Sequence, residues 1–440
     1  MNTGPARGMR DFLPEDVRRR QYVIGVIADV YQKYGFEPLE TPAVENLETL
    51  QGKYGEEGDR LIFKILKRGE GAESGQADLA LRYDVTVPLA RVVAEYRSKL
   101  PKFFKRYQIQ PVWRADRPQK GRFREFYQCD VDAIGSTSMT VEAEILSAAA
   151  DVLLKLGFKD FSIVVNHRRL LNSILAGAGV PPELHGAALV AMDKVDKIGV
   201  EGVRKEFAER GLAPESADRL GAILGTMNQE SIAAYADRLN EEGKTAIREL
   251  GELFALTKQT SAGPHIAFDG YLARGLSYYT GPIFEIRVAD LAGSLGGGGR
   301  YDDLIGMFSG ENIPATGISL GLERILVVMA ERNMFPVDVV STPADVMVVQ
   351  WFANRTDLYL AFATDLRRAG LRVELYPEAP AEDGKKVGDR QFKYASARGI
   401  PFVAVIGADE LVKNTVAIKN MKTGEQQSVP RADVAKWLSS

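Results

Sequence analysis

The 440-residue sequence contains one cysteine, Cys129. A single thiol excludes an intramolecular disulfide framework, a thiolate zinc site and a cysteine-held cluster. Histidine is nearly as scarce. The three present, His167, His185 and His265, lie far apart, no HExxH occurs, and neither a metal nor a catalytic role is expected of them. Nowhere do about 18 apolar residues run together, so no membrane-spanning helix is expected. The opening stretch MNTGPARGMRDFLPEDVRRR has no apolar run after its basic residues. No signal peptide is expected there, and the expected location is cytoplasmic. A net charge of −3 excludes nucleic-acid binding through overall basicity. Several chemistries are missing as motifs. GLSYYTG has a serine at the wrong spacing for a GxSxG elbow. EGKT at 242–245 resembles the end of a P-loop, but Arg238 stands where the first glycine belongs. No GxGxxG sits between a strand and a helix.

What is present fits a soluble globular chain of about three domains at roughly 150 residues each. Two basic patches stand out. Residues 99–124 carry nine Lys or Arg against Asp116 alone, and residues 385–398 carry five against Asp389. Each reads as a solvated face or as a nucleic-acid contact. The first is interrupted by apolar and aromatic residues at strand spacing, which places its guanidinium groups along a sheet.

Residues 15–34 read as an amphipathic helix through Val23, Ile24, Ile27, Val30 and Tyr31, closed by Gly35. FEPLETP then reads as a strand with Pro42 at an edge or an end. The aromatic, alternating runs 101–116 and 122–135 predict a long antiparallel hairpin with RPQKG at its tip. Glu142 to Leu156 reads as a helix, and 161–166 as a buried strand. Residues 168 to about 260 are helical in pattern throughout, as an insertion would be. Strand signals resume at 265–269, and 320–332 reads as a helix. A linker with two prolines covers about 333–344. Beyond it short strands and helices alternate, the pattern of a small α/β domain with a mostly parallel sheet. The hairpins of the first domain argue instead for an antiparallel sheet with helices on one side.

Three constellations carry chemistry. Arg114 ends the first hairpin strand; Arg122 and Arg124 begin the second and share a face with Phe126, whose ring could stack on a purine. LARGLSYYTGPIFEI (272–286) sets an arginine beside two tyrosines. GGGGRYDDLIG (296–306) and GISLGLERI (317–325) combine four glycines, which admit close approach to the backbone, with Arg324, placed to meet a phosphate. Surface ion pairs, core tyrosines and a glycine bulge remain the plainer reading of each.

VWRADRPQKGRFREFYQCDVD (112–132) resembles motif 2 of the class II aminoacyl-tRNA synthetases, GISLGLERI resembles motif 3, and YGFEPLETPAVE (34–45), with Pro42, resembles motif 1. LARGLSYYTGPIFE and GGGGRYDDL are similar to the two signature motifs of the histidyl-tRNA synthetases, and LRYDVTVPLAR (81–91) to their amino-acid-binding loop. The resemblance covers nearly the whole chain. Four positions depart from common family wording: Ser277 for Asp, Asp303 for Gly, and Asp84 and Asp132 where many bacterial members have Glu.

That resemblance implies an α+β catalytic domain over 1–335, with an antiparallel sheet and the helical insertion. It also implies a linker at 336–344 and an α/β anticodon-binding domain at 345–440. The implied activity joins L-histidine to tRNA(His). Histidine is first activated with ATP to the adenylate, releasing pyrophosphate, with Mg²⁺ on the phosphates. Histidine would be surrounded by Asp84, Thr86, Arg114, Gln128, Asp132, Arg274, Tyr278 and Tyr279. ATP would meet Arg114, Arg122, Glu125, Phe126 and Arg324, with Phe126 on the adenine and Glu125 near it. Arg114, Arg274 and Arg324 would carry catalysis, Arg274 in a place a metal ion takes in related synthetases, and no metal site is implied. The insertion would approach the acceptor arm, and motif 1 would build a homodimer away from any membrane. Two rivals stay open: a non-catalytic synthetase-like subunit that senses histidine, and an RNA-binding module on the same fold.

Overall fold

The computed structural model describes residues 3–439 apart from 120, 193, 227, 229–230, 274–277, 292, 337–338, 340–341 and 381–384. The chain divides into two compact units, Met1–Met334 and Phe335–Ser440.

The strands of the first unit are β1 (Glu37–Pro38), β2 (Val44–Asn46), β3 (Lys64–Leu66), β4 (Ala77–Leu81), β5 (Phe104–Trp113), β6 (Glu125–Ile134), β7 (Phe161–His167), β8 (Ile266–Phe268), β9 (Pro282–Val288), β10 (Gly296–Arg300) and β11 (Ala315–Gly321). Eight of them form one sheet in the order β1-β5-β6-β11-β10-β9-β7-β8. Only its two outermost pairings, β1 with β5 and β7 with β8, are parallel. The antiparallel sheet expected from the hairpins is therefore present at the centre. The hairpin runs in register from Phe104 opposite Ile134 to Trp113 opposite Glu125, and a bridge between Gln119 and Arg122 narrows its tip. Its alternating sequence makes it a strand pair with two unlike faces.

Helices pack against this sheet. Pro14–Lys33 turns Val23, Ile27, Val30 and Tyr31 inward and ends before Gly35, whose φ of 75° suits glycine. The helix expected from Glu142 starts earlier than the apolar pattern indicates, at Met139, because Ser138 caps it by accepting from the Thr140 amide. The stretch read as a helix over 320–332 is divided: β11 keeps its ladder through Gly321, and the helix is Leu322–Glu331. FEPLETP yields only the two-residue edge strand β1, since Pro38 and Pro42 each withhold an amide from the ladder. A small sheet in the order β2-β4-β3 was not foreseen; its strands are short and lack alternation. The insertion is helical as expected, from Arg168–Gly177 to Glu241–Thr257, and EGKT lies inside that last helix.

The second unit contains β12 (Val346–Val348), β13 (Val373–Leu375), β14 (Phe402–Val405), β15 (Thr415–Asn420) and β16 (Gln426–Pro430), ordered β13-β12-β14-β15-β16. Its sheet is mixed rather than mostly parallel. β12 runs parallel to β13 and β14, but β15 and β16 are antiparallel additions. Residues 406–414 between β14 and β15 are fewer than the dozen or so a parallel crossover requires. Apolar residues fill both faces, with Val346, Val348, Tyr359, Phe362 and Ile418 on one and Met347, Val403 and Val405 on the other.

Candidate functional site

A cavity of about 880 Å³ opens on the central sheet of the first unit. The period-two alternation of β6 sends Phe126, Gln128, Asp130 and Asp132 into it, and β10 and β11 add Gly296, Gly298, Gly317 and Ser319. Cys129, one step off that series, is fully buried away from the cavity. The glycines answer first to their neighbouring strands. A Cβ on Gly298 would stand 1.9 Å from the Gly317 carbonyl oxygen, and one on Gly317 would stand 2.0 Å from Asp132 Oδ1. A side chain at Gly317 would fill the floor beside Asp132, and one at Gly298, on the face of Ile318, would part the strands.

Ten of the twelve residues expected at the site line this cavity: Asp84, Thr86, Arg114, Arg122, Phe126, Gln128, Asp132, Tyr278, Tyr279 and Arg324. Arg274 lies outside the described residues, with Ser277; buried Ala273 and Tyr278 flank that stretch. Glu125 does not line the cavity. It belongs to the other face of β6 and accepts a hydrogen bond from the Trp113 indole at 2.8 Å. Asp116 takes its place in the lining, two residues after Arg114, and accepts from Arg122 at 2.8 Å. Asp303 is exposed and accepts from Asn312.

At one side of the cavity Asp84 is 2% exposed. Its Oδ1 accepts from the Tyr54 hydroxyl and the Val87 amide, both at 3.0 Å, while Oδ2 is buried without a hydrogen-bond partner. Burial pushes its pKa above the ordinary carboxyl value. Arg114 stands nearby, its Nε donating to the Tyr83 carbonyl at 3.0 Å and its guanidinium lying over the Tyr83 and Phe126 rings. No carboxylate pairs with Arg114 among the described residues. The lining thus presents an acceptor without a donor beside a guanidinium without an acid. These complement an ammonium and a carboxylate or phosphate.

The floor is more heavily charged. Arg106, fully buried, pairs with Asp132 at 2.8 Å, and the Tyr301 hydroxyl donates to the same carboxylate. Asp130, between Gln128 and Asp132, accepts from Thr86 Oγ1 at 3.4 Å and is pushed up to about 7 by burial and then by the neighbouring Asp132 charge. Tyr278 and Tyr279 meet edge to face at 4.9 Å, with Tyr301 beyond Tyr278. At the far end Arg324 donates to the Ser294 carbonyl, and Gly293 lies against its guanidinium. Glu323, also lining the cavity, is held by Arg20 at 2.8 Å, and Arg10 lies over the Phe123 ring of the hairpin tip.

Tyr54, Asp116, Asp130, Tyr301, Ser319 and Glu323 were not singled out in the sequence. Asp130 was within reach of the argument, because it continues the alternation from Phe126 through Gln128 to Asp132. Tyr54 carries no spacing signal at all, since the bend before the short helix Gly55–Asp59, 30 residues upstream, brings it to Asp84.

The basic stretch 99–124 is dispersed by folding: Arg106 goes to Asp132, Lys105 to Glu144 and Arg122 to Asp116. Of the second patch, Arg390 pairs with Glu378 and Arg398 with Glu374, while the side chains of Lys385 and Lys386 lie outside the described residues. No group of three His, Cys, Asp or Glu able to hold a metal occurs among the described residues.

The sequence model of the family described as histidyl-tRNA synthetase matches residues 8–325, and that of an anticodon binding domain matches 345–440. A protein of Flavobacterium johnsoniae named histidine–tRNA ligase is 42% identical, over 98% of this chain and 98% of its own. The crystal structure of histidyl-tRNA synthetase from Nostoc sp. PCC 7120 superposes with a TM-score of 0.83 at 30% identity, covering 100% of this chain and 99% of that one. A Bacillus halodurans chain titled as an ATP phosphoribosyltransferase regulatory subunit/histidyl-tRNA synthetase shares the fold, with a TM-score of 0.73 at 22% identity, over 93% of this chain.

Proposed function

The chain belongs to the histidyl-tRNA synthetase family, and on that premise we propose how its residues divide the work. It is a histidine–tRNA ligase. Histidine carboxylate attacks the α-phosphate of ATP, pyrophosphate leaves, and the 3′-terminal ribose of tRNA(His) then attacks the adenylate. The first step needs no protein nucleophile. It needs in-line placement and stabilisation of negative charge spreading over phosphate oxygens.

The observation that carries this assignment is the Asp84–Arg114 arrangement. The unpartnered Asp84 Oδ2 receives the α-ammonium group, with Thr86 beside it. Arg114, fixed by the Tyr83 carbonyl and two rings, binds the carboxylate and the α-phosphate as a planar fork. Gln128, Asp132, Tyr278 and Tyr279 receive the imidazole. Phe126 stacks on adenine, with Asp116 rather than Glu125 at that edge. Arg122 and Arg324 hold the outer phosphates. Arg274, in our reading, adds a third cation at the α-phosphate. Mg²⁺ would enter with ATP as part of the substrate; among the described residues no group of three His, Cys, Asp or Glu is placed to hold it.

Residues 345–440 read the anticodon, the insertion approaches the acceptor arm, and residues 34–45 form a homodimer seam in the cytoplasm. No single helix among the described residues is long and apolar enough to cross a membrane. The test is histidine-dependent exchange of pyrophosphate into ATP, run on wild type and on Asp84→Asn. Robust exchange that collapses in the variant through a raised KM for histidine is expected. Histidine binding without exchange would favour the histidine-sensing subunit instead.

A further inference from the structure

Asp130 plays no part in the scheme above, yet it sits on the cavity floor at 2% exposure. The ladder places it opposite Gln108 of β5 and Ser319 of β11, and places Asp132 opposite Arg106. Every charged or titratable group facing it can be named. Asp132 and Arg106 lie on its own and the adjoining strand, the Cys129 thiol one residue before it, Asp84 on the segment before the helix that starts at Thr86, Tyr31 on the first helix, and Tyr301 after β10. Asp84 stands near Arg114. That leaves two carboxyl groups, Asp130 and Asp132, against one buried guanidinium, Arg106.

The polar atoms point the same way. Gln108 Oε1 and Gln128 Oε1 are buried acceptors with no donor. Asp130 itself receives long contacts, 3.4 Å from Thr86 Oγ1 and 3.5 Å from Gln128 Nε2, besides the hydroxyl of Ser319 across the ladder. The floor is therefore short of one positive charge, and its orphan acceptors at Gln108 and Gln128 lie beyond the reach of the two unpartnered donors, Nε and Nη1, of buried Arg106. An imidazolium brings the charge and N–H donors at each ring nitrogen; a neutral imidazole brings one donor and no charge.

We propose that Asp130 is a specificity-determining residue: it makes the floor complementary to the protonated ring, so that histidine is held as imidazolium and one proton is shared between its ring and the Asp130 carboxyl. This rests on the assignment of histidine to this cavity. The proton balance is simple. Below neutrality the empty pocket holds the proton on Asp130. On binding just below neutrality it passes to the ring, and in more acid solution, where the free ring is already imidazolium, it is released to solvent; either way imidazolium is left against carboxylate. In alkaline solution neither partner carries it beforehand, and it is taken from solvent. Asp130 is pushed up to about 7 in the empty pocket, and free imidazole titrates near 6.5.

The linkage follows. At pH 8 the separated partners hold few protons and the complex holds one, so binding takes up about one proton. At pH 5.5 the separated partners hold nearly two, so binding releases about one, and the sign changes just below pH 7. Titration calorimetry of histidine into the full-length protein, in two buffers of different ionisation heat at each pH, counts these protons directly. Above pH 8 the dissociation constant of wild type should rise about tenfold per pH unit, provided one proton is taken up.

In Asp130→Asn the uptake at pH 8 should vanish and the KM for histidine should rise, while the KM for ATP stays within a factor of about two. A second probe avoids reliance on the variant. Triazolylalanine, whose ring stays neutral, should bind wild type at least about tenfold more weakly than histidine, and Asp130→Asn should lose most of that preference. Wild type that binds histidine at pH 8 with no proton uptake overturns the proposal, as does undiminished uptake in Asp130→Asn. Wild type that binds no histidine would overturn the assignment of the cavity itself, a distinguishable result.

Discussion

The sheet of the second unit is filled with side chains on both faces, whereas the central sheet of the first is left open on one. In the second unit β12, β14 and β15 send Val, Met, Ala and Ile to two apolar layers, and its buried polar residues, Thr342, Gln350 and Gln391, are all uncharged. In the first, the same depth of burial holds Arg106, Asp130, Asp132, Arg300 and Glu142. Buried charge carries a desolvation cost that apolar packing of equal volume avoids. Arg106, Asp130 and Asp132 gather on the face with the cavity and mark where a charged ligand completes the structure, while Arg300 and Glu142 satisfy each other on the opposite face. Among its described residues the second unit has no comparable charged interior.

This contrast can be broken most severely from the apolar side. Phe362, 1% exposed, is a keystone of the larger layer in the second unit. Phe362→Ala should cost about 3–5 kcal/mol of that unit's stability. Thermal melts should show one transition moving down, with tRNA charging lost and pyrophosphate exchange retained. Loss of exchange as well would mean that the units do not act separately.

Arg114→Ala attacks the other side. The residue is tied by one backbone carbonyl and two rings. Exchange should therefore drop about 10² to 10³-fold, roughly 3–4 kcal/mol, for loss of a preorganised charge contact, with both melting transitions in place. A variant that unfolds instead would move Arg114 from chemistry to scaffold.

Gly317→Ala should have an intermediate effect, about 1–3 kcal/mol of strain in the first unit. The added methyl would meet Asp132 Oδ1 and the Val131 carbonyl. KM for histidine should rise with it, since the floor is displaced; an unchanged KM would separate the floor from histidine binding.

The smallest expected effect is pH dependence. Burial raises Asp130 and Glu142 to about 7 each, from 3.8 and 4.5. Groups raised in this way contribute stability that is complete below the unfolded values and is lost as pH rises through the folded ones. His167, kept neutral by burial, opposes them over the lower part of that window. Two carboxyls outweigh one imidazole, so the first unit should melt a few degrees lower at pH 8 than at pH 5. In the second, Asp345 is lowered by its bond to Arg372 and acts only in more acid solution. Its transition should hold still across the same range. Melts followed in both units, with no fall in the first, would remove the buried carboxyls from the account.

Much of this was legible before folding. The hairpin, the helical insertion and most of the cavity lining followed from alternation, periodicity and motif wording. The misses have separate causes. Glu125 was placed by motif wording alone, whereas strand alternation sends it to Trp113, and Asp116 lines the cavity instead. Tyr54 and Tyr301 act through contacts between segments remote in sequence, which no local spacing encodes. The antiparallel β15 was hidden because its apolar run resembles a parallel strand; only the shortness of 406–414 distinguishes it.

Cys129 has a practical consequence. It is fully buried on β6, and burial with nearby carboxylates pushes its thiol well above the ordinary value, so the reactive thiolate is scarce. To aqueous maleimides the native chain behaves as though it had no cysteine. A surface thiol introduced on each unit would take up a fluorophore cleanly, with the wild-type background intact. Energy transfer between the two dyes would then follow the separation of the units in real time as tRNA arrives and departs.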